Sequence, residues 1–200
     1  QILRRMTGSI TAYMDEVGRR PLHLSDYDKA VLAVRDGDFE TFSSLYPRVP
    51  DRANDLLIEV SGRPGRIGGN MVLMLLSAVE QFSPEAYLTA CKRAVDTGDS
   101  QRVRTLVDEA KSHLSEPRPS LAGEVMVYAY TCNRKSMARE LIDKSTPEQI
   151  AAAPSALLRQ AAASLDLQAA VTLIDKGIRP GDHVEDILRT LTGQHQEWMA

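Results

Sequence analysis

The chain has no long apolar run. Its most apolar stretch, Met71 to Val79, falls well short of the roughly 18 residues that a membrane-spanning helix needs, so no membrane association is expected. Aromatic residues make up only 5% of the sequence, too few for a β-sandwich built on large cross-strand pairs and better suited to short helices packed closely. Basic charge is not in excess. The 24 Lys and Arg stand against 27 Asp and Glu, a net charge of −3, which argues against a general nucleic-acid surface. Cysteine is nearly absent. Cys91 and Cys132 fall on different first helices; a disulfide between neighbouring repeats is conceivable, and the plainer reading is two buried or half-buried thiols in a reducing compartment.

Signatures of chemistry are missing too. The four histidines, His23, His113, His183 and His195, show no metal-ligand spacing, and there is no Cys-x-x-Cys pair or His-Glu-x-x-His helix. His183-Val-Glu185 lacks the Pro-Cys-x-x-Cys partner of a zinc deaminase, and no Gly-x-Ser-x-Gly elbow occurs. The glycine-rich stretch Gly62-Arg-Pro-Gly-Arg-Ile-Gly-Gly-Asn70 has Ile67, Gly68 and Gly69 where a phosphate-binding loop starting at Gly62 needs Gly, Lys and Ser or Thr. It reads instead as a loop between two helices. Asp15-Glu16, Asp108-Glu109 and Glu185-Asp186 are neighbours in sequence, and adjacent residues on a helix diverge, so they read as solvated faces rather than acid/base pairs. No cofactor or metal is expected, and no enzymatic activity for this stretch of chain.

What is present is a recurring unit of two short helices. In residues 91–108, Cys91, Ala94 and Val95 precede Gly98 by seven, four and three positions, on one helical face. Val103, Leu106 and Val107 follow it by five, eight and nine, on one face of a second helix. Residues 30–46 repeat this arrangement around Gly37, with Ala30, Ala33 and Val34 before it and Phe42 and Leu45 after it. A third copy centres on Asn133, with Met126, Ala129 and Tyr130 before it and Ala138, Leu141 and Ile142 after it. Asparagine replaces glycine there sensibly, because it tolerates the left-handed conformation that ends helices. A fourth centres on Leu165, flanked by Leu158, Ala161 and Ala162 and by Ala170, Leu173 and Ile174; leucine at this place predicts a right-handed or shifted turn.

A further copy is expected at Gly68, with Leu73 and Leu76 in its second helix and Gly62 to Arg66 as an insertion that displaces its first helix. The anchors 37, 68, 98, 133 and 165 are then 31, 30, 35 and 32 residues apart. Repeats near this length mean a helical array in which each hairpin buries its apolar face on its neighbours.

The pattern resembles the ankyrin repeat. The best local matches are Asp36-Gly-Asp-Phe-Glu-Thr-Phe-Ser-Ser-Leu45 and Leu173-Ile-Asp-Lys-Gly-Ile-Arg-Pro180. No interior copy carries the Thr-Pro-Leu-His start or the usual Gly-Ala-Asp turn, so the β-hairpin fingers of that family are expected to be short or absent. The expected fold is all-α: an ankyrin-like helical-hairpin solenoid of about five units. Another helix-pair solenoid, such as a HEAT-like array, is the alternative. Residues 1–24 are expected to form an amphipathic capping or connecting helix, 25–192 the array, and 193–200 a tail. A closing helix is expected from about Asp182, with Val184, Ile187, Leu188 and Leu191 apolar and Trp198 folding back onto it. Ser25, Ser83 and Thr146 read as helix N-caps, the last two followed by proline at the first helical position. Pro117-Arg-Pro119 reads as a stiff surface connection.

The resemblance implies a protein-recognition module that binds another protein and is monomeric by itself. In an ankyrin-like array the first helices line the concave side. The residues five and two positions before each anchor project into that groove: Leu32 and Arg35, Arg93 and Asp96, Tyr128 and Thr131, Gln160 and Ala163. Loop-tip arginines Arg63, Arg66 and Arg118 are the second candidate surface. A different class of function is also open: a target-recognition or accessory domain of a larger enzyme whose catalytic part lies upstream. The start at Gln1 rather than Met and the preference for 18 Arg over 6 Lys motivate that reading, with a GC-rich bacterial source and an effector delivered into a host cell. Otherwise a reducing, cytoplasmic location is expected.

Overall fold

Four of the repeated turns close with a backbone that L-residues rarely adopt, and this fixes the architecture. A computed structural model describes residues 24–179; the expected capping helix, the closing helix and the tail lie outside them. Among the described residues there are eleven α-helices. They are α1 Asp26–Asp36, α2 Phe39–Leu45, α3 Ala53–Ser61, α4 Gly65–Ala78, α5 Pro84–Thr97, α6 Ser100–His113, α7 Leu121–Thr131, α8 Lys135–Lys144, α9 Pro147–Ala151, α10 Ala156–Ala163 and α11 Leu167–Asp175. No strand occurs among the described residues, only a parallel bridge between Phe82 and Leu114. The fold is all-α.

The helices pair as α1–α2, α3–α4, α5–α6, α7–α8 and α10–α11. The first helices form a row in chain order, α1 against α3, α3 against α5, α5 against α7 and α7 against α10. Small residues let them approach: Ala30, Ala33, Ala94, Ala129 and Ala161 are all buried in the row. The other expected inward residues of the α1, α5, α7 and α10 units are buried as well. Those of the second helices follow, except Ile174, which is exposed.

Gly37 and Gly98 have φ of +77° and +76°, and Asn133 has φ +56°. Leu165 corrects the expectation of a right-handed turn: its φ is +59°. The reason lies one residue on. The Asp166 N–H donates to Ala161 O at 2.9 Å, as Asp38 does to Ala33 and Arg134 to Ala129, and this closure requires a left-handed residue between.

The second unit also departs from expectation. Gly68 is not a turn but a buried residue inside α4. The turn is Gly62-Arg63-Pro64; proline cannot continue α3, and Gly65 opens α4 with φ +80°. No insertion displaces α3. Counting from position 64, the inward residues at minus seven, four and three are Leu57, Val60 and Ser61, all buried. Leu73, assigned to the core from the wrong anchor, is exposed, while Leu76 is buried.

Caps end the helices where expected. Ser25 and Thr146 form reciprocal capping boxes with Asp28 and Gln149, and Ser83 accepts from the Ala86 N–H. Asp38, Asp99 and Asp166 cap the second helices of three hairpins.

The arginine content has a structural use that the sequence pattern did not disclose. The last carbonyls of a helix lack intrahelical donors and carry the negative end of its dipole. Basic side chains from neighbouring hairpins supply those donors. Arg63 donates to Arg35 O, Arg134 to Asp96 O at 3.2 Å, and Lys135 to Ser164 O at 2.6 Å. Lys176 reaches Ile142 O, Asp143 O and Ser145 O. The buried Arg102 donates to the carbonyls of Ser61, Arg63 and Gly65 and pairs with Asp99 at 3.0 Å.

Candidate binding surface

The outward face of the first-helix row is set by the same turns. With α1, α5, α7 and α10 anchored at 37, 98, 133 and 165, positions minus five and minus two turn away from the core. Leu32, Arg35, Arg93, Asp96, Thr131 and Ala163 are exposed, and Tyr128 and Gln160 half-buried. Leu32 is 42% exposed, a sizeable apolar surface for an unpartnered helix.

Three concavities run along this face. The first, of about 430 Å³, is lined by Val34, Arg35, Ile58, Glu59, Gly62, Arg63, Pro64 and Arg93. The second, of about 290 Å³, shares Gly62, Pro64 and Arg93 with it and adds Asp96 and Thr97. The third, of about 210 Å³, is lined by Lys92, Glu124, Val127, Tyr128, Thr131 and Pro154. Of the residues read from the sequence, Arg35, Arg93 and Asp96 line the first two concavities and Tyr128 and Thr131 the third; Leu32 and Gln160 lie on the face but line none of the three. Glu59 and Gly62 were missed for one reason. They are the minus-five and minus-two residues of the second hairpin once its turn is placed at 64 instead of 68, so the buried triplet Leu57, Val60 and Ser61 was the signal that would have found them.

Hydrogen bonds organise the α5–α7 part of the surface. The Tyr128 hydroxyl donates to Asp96 Oδ1 at 2.9 Å. Lys92 Nζ lies 5.5 Å from the centre of the Tyr128 ring, within the range of a cation–π contact. The hydrogen bond to Asp96 pushes the Tyr128 phenol well above the ordinary tyrosine range, with Cys132 and partial burial adding to it. Glu124, in the third concavity, is held below its usual range. Burial raises it, but the Arg118 guanidinium and the Ser120 hydroxyl outweigh burial.

The loop-tip arginines fare differently. Arg118 makes a two-point pair with Glu124, Nε to Oε1 at 3.0 Å and Nη2 to Oε2 at 2.8 Å, and also meets Glu85 at 3.4 Å. Its guanidinium is occupied within the chain, beside a mainly apolar cavity of about 350 Å³ between α6, the Pro117–Pro119 connection and α9. Arg63 is half-buried and lies across Gly37, where any side chain would collide with its guanidinium. Arg66 is exposed and makes no ion pair among the described residues. Arg63 and Arg118 line different concavities.

Cys91 is fully buried, and burial pushes its thiol up to about 12; Cys132 is half-buried, and both are free. No group of three or more His, Cys, Asp or Glu is clustered to hold a metal ion among the described residues. No helix among them is long and apolar enough to cross a membrane. Compared with known protein families, curated proteins and solved structures, the chain matches none.

Proposed function

We propose that this chain is a protein-recognition module: an ankyrin-like helical-hairpin solenoid whose first-helix face binds a partner protein. One observation carries the reading. The outward residues of successive hairpins line concavities from Arg35 to Thr131, linked across α5 and α7 by the Tyr128–Asp96 hydrogen bond, and their arginine and tyrosine suit a protein interface. Repeat arrays use such faces because outward side chains vary without disturbing the buried ones. The module acts as a monomer, and its two free thiols suit a reducing compartment.

The test places a photo-crosslinking residue at Thr131 or, for comparison, at Gln168 on the exposed side of α11. A partner identified by mass spectrometry from the Thr131 variant, then purified, is titrated against Arg93→Ala and Tyr128→Ala. Cross-linking is expected at 131 and not at 168, and at least one alanine variant should lose about 1–2 kcal/mol of affinity. Equal cross-linking at both positions, or unchanged affinity in both variants, removes the first-helix face from consideration.

A further inference from the structure

The charges of the first-helix face are unevenly satisfied. Arg48, Arg52, Arg102, Arg104, Arg118 and Arg139 each pair with a carboxylate. Arg35 and Arg93, both in the lining of the concavity of about 430 Å³, are exposed and enter no ion pair among the described residues. Arg63 adds a third guanidinium to the same lining, and Glu59 is the only carboxylate in it. Pro64 has no N–H, and Gly62 carries no side chain. Guanidinium groups are therefore the main polar feature, and the half-buried Ile58 supplies aliphatic wall.

We propose that this concavity seats an acidic peptide segment of the partner, a carboxylate held by Arg35 and Arg93 with a neighbouring aliphatic side chain against Ile58. The proposal rests on the protein-recognition reading and names the chemistry of the partner. Guanidinium forks match carboxylates in two-point geometry and are weakly hydrated, so they are well suited to carboxylate capture at an interface. A nucleic acid fits less well. The chain carries a net charge of −3, and Glu59 and Asp96 border the path that a continuous polyanion would follow. An isolated carboxylate meets the arginines without crossing those acids.

The experiment titrates a short fluorescein-labelled peptide of alternating glutamate and leucine against the full chain by polarisation. A lysine–leucine peptide and a single-stranded DNA of similar charge serve as comparisons. Binding of the acidic peptide is expected to weaken with added salt. Arg35→Glu and Arg93→Glu should each lower its affinity roughly tenfold or more, and the milder Arg93→Gln by a smaller factor. Arg159→Glu, on the exposed side of α10, should bind as the native chain does. Thermal melts check that each variant is folded, and Arg93→Gln keeps the test open if a charge reversal unfolds. Equal affinity for native chain and pocket variants overturns the proposal, as does an equal loss in Arg159→Glu or tighter binding of the DNA. If the acidic peptide fails while Thr131 still cross-links a partner, only the acidic-segment proposal falls; if both fail, the recognition reading falls with it.

Discussion

The Tyr128 hydroxyl donates to Asp96 Oδ1 at 2.9 Å, joining the first helices of consecutive hairpins on their outward face. A phenol whose folded pKa lies above its unfolded value contributes stability that is whole below the unfolded value and is lost as pH rises toward the folded one. Tyr128 is raised first by this hydrogen bond; Tyr87 and Tyr130 are raised first by burial. Stability should therefore fall above about pH 10, the ordinary tyrosine value. Urea melts on the two sides of that pH are expected to show the loss, and Tyr128→Phe should show a shallower one. A native chain equally stable on both sides would contradict these positions for the phenols.

Leu165 holds a left-handed turn at φ +59° and is 57% exposed. The side chain gains little from burial there, and the conformation costs an L-residue about 1–2 kcal/mol. Leu165→Gly should stabilise the chain by about 0.5–1 kcal/mol once the greater freedom of unfolded glycine is subtracted. A chemical-denaturation midpoint that moves down would show that Leu165 has a packing role that its exposure conceals.

Gly123 poses the opposite case. It lies in α7, where alanine is ordinarily better than glycine by about 1 kcal/mol. Here a Cβ would stand 2.6 Å from Ala153 Cα and 2.9 Å from Pro154 Cδ, closer than atoms can pack. Gly123→Ala should lower the melting temperature despite its helix propensity, since overpacking costs about 1–3 kcal/mol. A rise in melting temperature would mean that the segment before α10 yields freely.

The core of four hairpins was legible because the same burial pattern recurs on each side of a turn. Ala94 and Ala129 can be read as core from their distance to Gly98 and Asn133. The second hairpin was not, because four glycines between positions 62 and 69 offered competing turns, and proline at 64 decided among them only through its lack of an N–H. Pairings such as Tyr128 with Asp96, or Arg118 with Glu124, join residues whose distance in the chain depends on how hairpins stack, which no local spacing encodes. Leu165 was misread because intrinsic preference opposed the turn, while the buried neighbour Asp166 imposed it.

Asp166 caps α11 through the Ala169 N–H and meets Arg139 Nη2 at 2.9 Å and the Tyr130 hydroxyl at 3.1 Å. Burial raises its carboxyl, but Arg139, Ala169 and Tyr130 outweigh burial and hold it below the ordinary range. The sign follows from the depression: the stabilisation is whole above the ordinary aspartate value of about 4 and is lost as pH falls through the folded value. Acid should weaken the native chain over that interval, and Asp166→Asn should flatten the dependence while lowering stability near neutral pH. An acid limb unchanged in Asp166→Asn would assign the effect to other carboxylates.

Arg102 gives the most demanding case. Its guanidinium is buried, and burial pulls its pKa down while Asp99 opposes that. Nη1 donates to Ser61 O at 3.0 Å and also to Arg63 O, and Nη2 donates to Gly65 O at 2.8 Å. One planar fork thus supplies donors to the end of α3 and the start of α4 from the next hairpin. Removing it takes the guanidinium donors from three carbonyls and the ion pair from Asp99, which keeps only its cap to the backbone N–H of residue 102, so Arg102→Ala should cost about 3 kcal/mol or more. Arg102→Met replaces much of the lost volume and should recover little, because the orphaned acceptors remain. Arg102→Lys is the discriminating variant. A buried charge acting alone would survive the exchange, but an ammonium on a thinner stem cannot occupy both arms of the fork. Lysine is therefore expected to unfold in urea close to the alanine variant; a midpoint close to the native chain would show that charge, and not the geometry of the fork, joins these two hairpins.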